Sequence, residues 1–356
     1  MRICVINPNY YRSSGVTMAI RRIHEAVSPY GMDAYFVNCR YGSEEEELSW
    51  IPPHRMEHLP LMSLNPLAFM RSIMRLRRLL DRWDIQLIHV HHRRLSILLT
   101  ALEPLLRRPI LYSGNLTSPF SLTFWLLSPR HAIAVTNSVR DNLMATTRTR
   151  NVEILGNPTP FPDTCPSMDV AKVRRRAVCV ARLVPVKGHQ TLIDAWALLR
   201  DRGVANELVL VGEGPLRESL EARSQALGLA DLITFRGFVS DVRSDYEQAL
   251  FAILASSIEG QGIVTIEAAA AGRASLLTDV DGSRDCLPPN RALPNGLPYG
   301  KAEALADALQ FWFANPEAVA EEGRTFFDFH QALNSSKVLG EKYAAAYQRT
   351  GPRSKH

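Results

Sequence analysis

In 356 residues there is no apolar run approaching the roughly 18–20 residues that a transmembrane helix needs. The amino terminus, MRICVINPNYY, reads as a strand followed by polar turn residues, and it lacks the basic and apolar regions of a secretory signal. These absences make a cytoplasmic location the expectation. Cysteine is scarce: the five residues Cys4, Cys39, Cys165, Cys179 and Cys286 are odd in number, scattered, and form no C-x-x-C pair. Neither a disulfide framework nor a structural zinc site is indicated. Cys4 and Cys179 fall in apolar strands, where a thiol behaves as a small hydrophobe. There is no internal repeat, and the single low-complexity tract, Glu44 to Glu47, reads as a solvated loop.

What is present is ordinary for a globular chain: 46% hydrophobic and 22% charged residues. The length fits about two domains, each large enough for its own core. The net charge of +5 suits a phosphorylated ligand, an anionic lipid or a nucleic acid, but much of the excess is local. In FMRSIMRLRRLLDRW, Arg71, Arg75, Arg78 and Arg82 form one helical row, and Phe69, Ile73, Leu76, Leu80 and Trp83 form an apolar stripe on the opposite side. Two readings stand: a helix packed on its own sheet with a solvated basic face, or contact with an anionic membrane or lipid-linked acceptor. The second would make the protein peripheral at the inner face of a membrane. Nucleic acid is not expected as a partner.

Short apolar strands alternate with helical patterns, the signal for parallel sheets built from βαβ units. The first half predicts strands near 2–7, 33–38, 85–90, 109–113, 131–135 and 152–155. The segment 156–167, with four prolines in twelve residues, is a linker, since it can extend neither helix nor central strand. A second series predicts strands near 177–181, 207–211, 231–235, 251–254 and 274–277. The expected fold class is α/β, with two Rossmann-like doubly wound domains facing each other across a cleft. In such sheets ligands lie beyond the carboxyl ends of the strands.

The stretch SSIEGQGIVTIEAAAAG, 256–272, carries the most chemical information. It sets Glu259 and Glu267 eight positions apart around a Gly-flanked turn into an Ala-rich helix. Within one helix, eight residues would separate two side chains by about 80° in rotation and about 12 Å along the axis. Glu259 is therefore expected in the loop, with Glu267 about one turn inside a helix beginning near Ile263. Gly260 and Gly262 let backbone approach a ligand, and the first amides of the helix favour an anion. Arg182 and Lys187, between the strand AVCVA and a helix beginning near His189, add two cations suited to a pyrophosphate.

These residues resemble the retaining glycosyltransferases of family 4, of GT-B architecture, whose signature is E-G-F-G-[LI]-x-x-x-E followed by A-x-A-x-G. Seven further segments fall in the family's order: RICVINPNYYRSSG, DIQLIHVHH, NVEILGNP, CVARLVPVKGHQTLIDAW, LVLVGEGPLRESLE, ITFRGFVSD and TDVDGSRD. The resemblance implies an acceptor-binding domain over 1–160, joined by a carboxyl-terminal helix at 335–350, and a nucleotide-sugar-binding domain over 168–330. It implies transfer of a sugar from a nucleoside diphosphate to a hydroxyl of a saccharide or lipid-linked acceptor, in surface polysaccharide or glycolipid assembly. Arg182 and Lys187 would hold the departing diphosphate. Glu259 would bond a hydroxyl of the donor sugar, and Glu267 the ribose hydroxyls. The backbone of Gln261, Gly262 and Ile263 would meet phosphate, and Gly15, Gly212, Phe238 and Val239 complete the donor site. No metal and no cofactor is implied beyond the donor substrate itself.

The chain departs from the family pattern in several places. Asn115 stands where a His is usual; it can bond the sugar 6-hydroxyl but cannot carry a proton charge near neutral pH. Gln261 replaces Phe, which bears on sugar selectivity. Ser14 replaces the first glycine of a Gly-Gly loop, with Gly15 and a helix from Val16 following. Asp281 and Asp285 alter a G-G-x-x-E loop. In G-E-G-P, Pro215 reads as a first helical residue. His89, His91 and His92, and the pair Asp279 and Asp281, look like metal motifs, but neither carries a full ligand set, so structural or site-lining roles are expected. Two rivals remain: a GT-B sugar-nucleotide epimerase, and a catalytically silent nucleotide-sugar-binding module, to which Asn115 lends weight.

Overall fold

Strands buried by helices on both faces need no polar alternation, so short apolar segments rich in β-branched residues suffice to build them. The computed structural model describes residues 1–8, 10, 14–39 and 50–352, and the glutamate run at 44–47 lies outside them. Two compact units are present, Met1–Pro158 with Ser336–His356, and Thr159–Ser335.

The first unit holds β1 (Arg2–Asn7), β2 (Asp33–Asn38), β3 (Met56–His58), β4 (Leu87–Val90), β5 (Ile110–Gly114), β6 (His131–Ala134) and β7 (Asn151–Ile154). They pair in parallel in the order β3-β2-β1-β4-β5-β6-β7. The second unit holds β8 (Arg176–Val180), β9 (Glu207–Val211), β10 (Ile233–Gly237), β11 (Phe251–Leu254) and β12 (Ser275–Leu277). Their order is β10-β9-β8-β11-β12, again all parallel. Each unit is thus a Rossmann-like α/β sheet. Strand order reverses between β1 and β4 in one and between β8 and β11 in the other, and such a reversal splays the following loops apart and leaves a crevice.

Side-chain alternation assigns each central strand to two cores. On β1, Ile3 and Val5 join one buried cluster while Cys4 and Ile6 join the other. On β8, Ala177 and Cys179 face a core containing Trp196, Trp312 and Phe326, and Val178 faces the opposite one. Most expected strands are found within two residues of their predicted ends. The strand expected at 231–235 begins later, because Leu232 donates its amide to the Leu229 carbonyl and closes a turn first. Unforeseen was β3, a three-residue edge strand of sequence MEH that pairs with β2 alone. Its brevity and polarity suit an exposed edge and leave no periodic signal.

The carboxyl-terminal helix Ser336–Thr350 belongs to the first unit and packs on the helix Gly15–Val27. A methyl group at Gly340 would lie 2.3 Å from the Ala26 carbonyl oxygen, so the two backbones meet closely because that residue has no side chain. Overpacking a core contact costs about 1–3 kcal/mol. Gly340→Val is expected to lower the first unit's unfolding free energy by an amount in this range, seen as a fall in its urea midpoint; an unchanged or raised midpoint would show that the two helices do not need their close approach.

Candidate functional site

The reversal in the second sheet brings together the loops that leave β8 and β11, and these carry the cations and the first carboxylate singled out from sequence. Lys187 Nζ lies 2.6 Å from Glu259 Oε1. The Glu259 side chain is 9% exposed and that of Lys187 23%, so the ammonium compensates a carboxylate largely removed from water. Arg182, earlier on the same loop, is exposed.

Close backbone packing holds the two loops in place. Gly188 has φ +67°, and a Cβ there would lie 2.0 Å from the Ala255 carbonyl oxygen. Both strain and space therefore select glycine at the N-cap of the helix His189–Asp201. The Ser257 amide donates to the Val186 carbonyl at 2.8 Å, and Thr278 Oγ1 donates to the Ser256 carbonyl at 2.6 Å. From the far side Gly282 presses on the motif, since a Cβ there would lie 2.0 Å from the Gly260 carbonyl oxygen.

Beyond Glu259 the chain turns through Gly260 to Gly262 into the helix Ile263–Ala270, with Gly262 as N-cap. The amides of Ile263 and Val264 in its first turn have no acceptor within the helix, and they bear the positive end of its dipole. The Gly262 amide lies within hydrogen-bonding reach of the Cys286 sulfur, and burial pushes that thiol up to about 12. Glu267 is half-buried on the helix, one turn beyond its start. The site thus offers two cations, helix amides and a carboxylate: groups able to hold an anion beside a hydroxyl-bearing group.

The turn after β9 is joined to the same region. Leu183 donates to the Glu213 carbonyl at 3.0 Å and Leu216 to the Leu183 carbonyl at 3.1 Å. A Cβ at Gly212, where φ is +143°, would lie 2.1 Å from the Ala181 carbonyl oxygen. Close packing against the arginine loop therefore accounts for this glycine. Pro215 is not helical, contrary to expectation: the bond from Leu216 holds the chain back, and the helix begins at Arg217. Phe238 is 37% exposed and Val239 half-buried in the loop after β10.

In the first unit, the helix begins one residue earlier than expected, at Gly15, with Ser14 as its N-cap. Ser14 has φ −91° and ψ 120°, an extended conformation that serine adopts freely, so replacing glycine there costs no strain. Asn115 is half-buried just past β5, its amide nitrogen 3.5 Å from the His91 carbonyl and 3.4 Å from that of Ser113. His89 is occupied at both ring nitrogens, by Tyr347 Oη at 3.0 Å and Ser113 Oγ at 2.7 Å, and the His91 ring lies against it, tilted by 43° with centroids 4.2 Å apart. Arg284 lies 2.8 Å from Asp279 and 3.6 Å from Asp281, which assigns that acidic pair an arginine partner. Among the described residues no group of three or more His, Cys, Asp or Glu is arranged to hold a metal ion.

Comparison with known proteins agrees with the architecture. Residues 174–315 match the family model "Glycosyl transferases group 1". A 108-residue stretch is 39% identical to the GDP-mannose-dependent alpha-(1-6)-phosphatidylinositol monomannoside mannosyltransferase of Mycobacterium tuberculosis H37Rv, covering 28% of each chain. Over 179 residues it is 28% identical to the alpha-D-kanosaminyltransferase of Streptomyces kanamyceticus, covering 48% of this chain and 45% of that one. The chain therefore spans about a quarter to a half of the length of these relatives. The crystal structure of Anabaena Alr3699/HepE in complex with UDP superimposes with a TM-score of 0.82 at 16% identity, covering 98% of this chain and 100% of that one. That likeness is one of fold: two Rossmann-like domains of the GT-B fold class.

The buried imidazoles around both switch points set an acid limit on the fold. Burial lowers His91 to about 3, and His189 and His330 to about 4, and it takes His89 well below the usual imidazole value. In the unfolded chain each titrates near pH 6.5. Their stability contribution is thus complete above pH 6.5, and is lost as pH falls from there towards 3–4, because only the unfolded state takes up the protons. Each contributes a slope approaching about 1.4 kcal/mol per pH unit. The urea midpoint should fall steeply between pH 6.5 and 5, and His91→Gln should flatten that slope; an equal slope in the variant would contradict the assignment.

Proposed function

We propose that this chain, which belongs to the GT-B glycosyltransferases, moves a sugar from a nucleoside diphosphate to a hydroxyl of a saccharide or lipid-linked acceptor, with retention of anomeric configuration as in family 4. The observation that carries the reading is the contact of Lys187 with Glu259 beside the start of the helix Ile263–Ala270. It sets a diphosphate-binding cation next to a carboxylate that can accept from a sugar hydroxyl. The names of the relatives support the reaction class, and the mannosyltransferase name supports a glycolipid acceptor. For the base, one relative is named for GDP-mannose and one structural neighbour holds UDP, so both uridine and guanosine donors belong in a first panel.

In this reading Arg182, Lys187 and the amides near Gly262 and Ile263 take the negative charge that develops on the diphosphate as the bond from the anomeric carbon to the phosphate oxygen breaks. The acceptor oxygen bonds to the same face of that carbon, and its proton passes to the departing phosphate oxygen. Glu259 holds the sugar and Glu267 the ribose. No metal is needed, because the two cations and the helix terminus supply the charge a divalent ion would bring. The first unit takes the acceptor.

A charge-assisted hydrogen bond is worth about 1.5–3 kcal/mol. Glu259→Gln and Lys187→Ala should each lower turnover about tenfold to a hundredfold, with the far-ultraviolet spectrum unchanged, while Glu267→Gln should chiefly raise the donor KM. Wild-type activity should persist in excess chelator. Full turnover in either of the first two variants, or loss in chelator with rescue by magnesium, would overturn the assignment.

The helix Pro66–Arg82 supports peripheral membrane contact as part of this proposal. Asn65 caps it, and Ile73, Leu76 and Leu80 are buried as the stripe requires. Its outer face carries more than the four exposed arginines. Leu67, Met70 and Met74 are 71%, 53% and 47% exposed beside them, and Leu64 just ahead is fully exposed. Basic and apolar side chains side by side are the combination that enters a headgroup layer. No helix of the described residues is long and apolar enough to cross a membrane. Each arginine near an anionic surface contributes about 1 kcal/mol. Sedimentation with phosphatidylserine vesicles should be measurable at low salt, should weaken as salt rises, and should be lost when Arg71, Arg75, Arg78 and Arg82 become Gln; absence of wild-type sedimentation at low salt would refute membrane contact.

A further inference from the structure

Beside the basic helix of the first unit lies a cavity of about 320 Å³, between the segment 61–69 and the helix Arg93–Ala101. Its floor is the core itself: Leu61 and Leu95 are fully buried in the cluster that β1 and β4 share with the helix Pro66–Arg82. Its walls are Met62, Phe69 and Leu98, half-buried apolar side chains packed against that core. No acidic residue is among the described residues that line it.

The wall at 61–63 is held by hydrogen bonds of its own. The Leu61 amide donates to the Leu59 carbonyl at 2.7 Å and the Ser63 amide to the Pro60 carbonyl at 3.1 Å. The hydroxyl of Ser63, the only one on the lining, accepts from the Asn65 amide at 3.2 Å, and the Asn65 side chain caps the helix through the Leu67 and Ala68 amides. The single charge on the lining is Arg94. Its neighbour Arg93 is engaged, donating to the Pro119 carbonyl at 3.0 Å and lying over the Phe124 ring. Arg94 is exposed and has no hydrogen bond or ion pair with any described residue.

A hydrocarbon recess with one uncommitted cation selects a ligand that is a hydrocarbon chain at one end and an anion at the other. A sugar or nucleotide would leave polar groups unpaired against Leu61, Leu95 and Leu98. The surface next to the cavity continues the same chemistry. Leu64 follows Ser63 and is fully exposed, and Leu67, Met70 and Arg71 are exposed on the adjoining turns of the helix.

We infer that this cavity binds one acyl chain of an anionic phospholipid, with Arg94 meeting the phosphate. The bilayer is the source because the cavity adjoins the residues for which membrane contact is proposed above, and in this respect the site depends on that contact. The four arginines of the helix meet headgroups electrostatically, whereas the cavity adds a saturable component that depends on the chain.

Calorimetric titration of the full chain with dihexanoyl phosphatidylglycerol, below its critical micelle concentration and without vesicles, isolates the cavity from the membrane. One phospholipid should bind per chain, glycerol phosphate should give no heat, and geranyl phosphate, whose branched isoprenoid chain stands for a lipid-linked acceptor, should bind more weakly. Leu98→Trp fills the recess and should abolish binding; Met62→Trp, in the loop, should do the same and serves where Leu98→Trp fails to fold. Arg94→Gln should weaken binding about threefold to tenfold, as for an exposed charge-assisted contact. Protein with Arg71, Arg75, Arg78 and Arg82 replaced by Gln should bind the soluble phospholipid as the wild type does. Absence of wild-type binding, undiminished binding in the folded tryptophan variants, or tighter binding of geranyl phosphate would overturn the inference. Wild type that sediments with vesicles but ignores the soluble phospholipid would refute the cavity and leave the membrane contact standing. Binding of the soluble phospholipid without vesicle sedimentation would instead refute the membrane contact, and with it the bilayer as source.

Discussion

The ion pair between Lys187 and Glu259 is the contact on which the functional reading depends, because it joins the loops that follow the two central strands of the second sheet. Burying a carboxylate is expensive unless a cation and hydrogen bonds compensate it. Here the cation comes from a loop whose path is set by Gly188 against Ala255, and the carboxylate from a loop pressed by Gly282 at Gly260. These glycines lie where two backbones must approach within contact distance. The site is therefore supported by main chain on either side, and the helix Ile263–Ala270 starts where its unpaired amides share the crevice with the two charges.

The fold was legible in the sequence wherever burial on both faces produced apolar runs. β1, β2, β9 and β11 lie where their residues predict them, because nothing in the parallel core contradicts local pattern. The edge strand β3 was invisible, since its three residues are neither periodic nor apolar. The helices Ala302–Ala314 and Pro316–Asn334 were not anticipated either, although they bring Trp312, Phe313 and Phe326 into the core of the second unit. A linear reading marks such residues as apolar and gives no means of knowing which sheet they cover.

The same division holds at the site. Glu259, Lys187 and the helix start could be read from residue types and spacing, because a Gly-flanked carboxylate before a helix is a local pattern. The partner of Gln261 could not: Asn334 is 73 positions away, and an asparagine near a helix end is unremarkable by itself. Side-chain partners also engage the residues of the apparent metal motifs. Tyr347 and Ser113 engage His89, and Arg284 lies against both Asp279 and Asp281. Gly212 and Ser14 show the limit from another side. One glycine is explained by backbone packing, and the absence of the other is tolerated because an N-cap needs only an extended serine.

The most direct measurement of the central claim is a crystal structure of the chain with a nucleoside diphosphate. The account predicts phosphate oxygens within hydrogen-bonding distance of Lys187 Nζ and of the Ile263 and Val264 amides. A nucleotide bound away from the loops after β8 and β11, with the Lys187 and Glu259 side chains untouched, would contradict it.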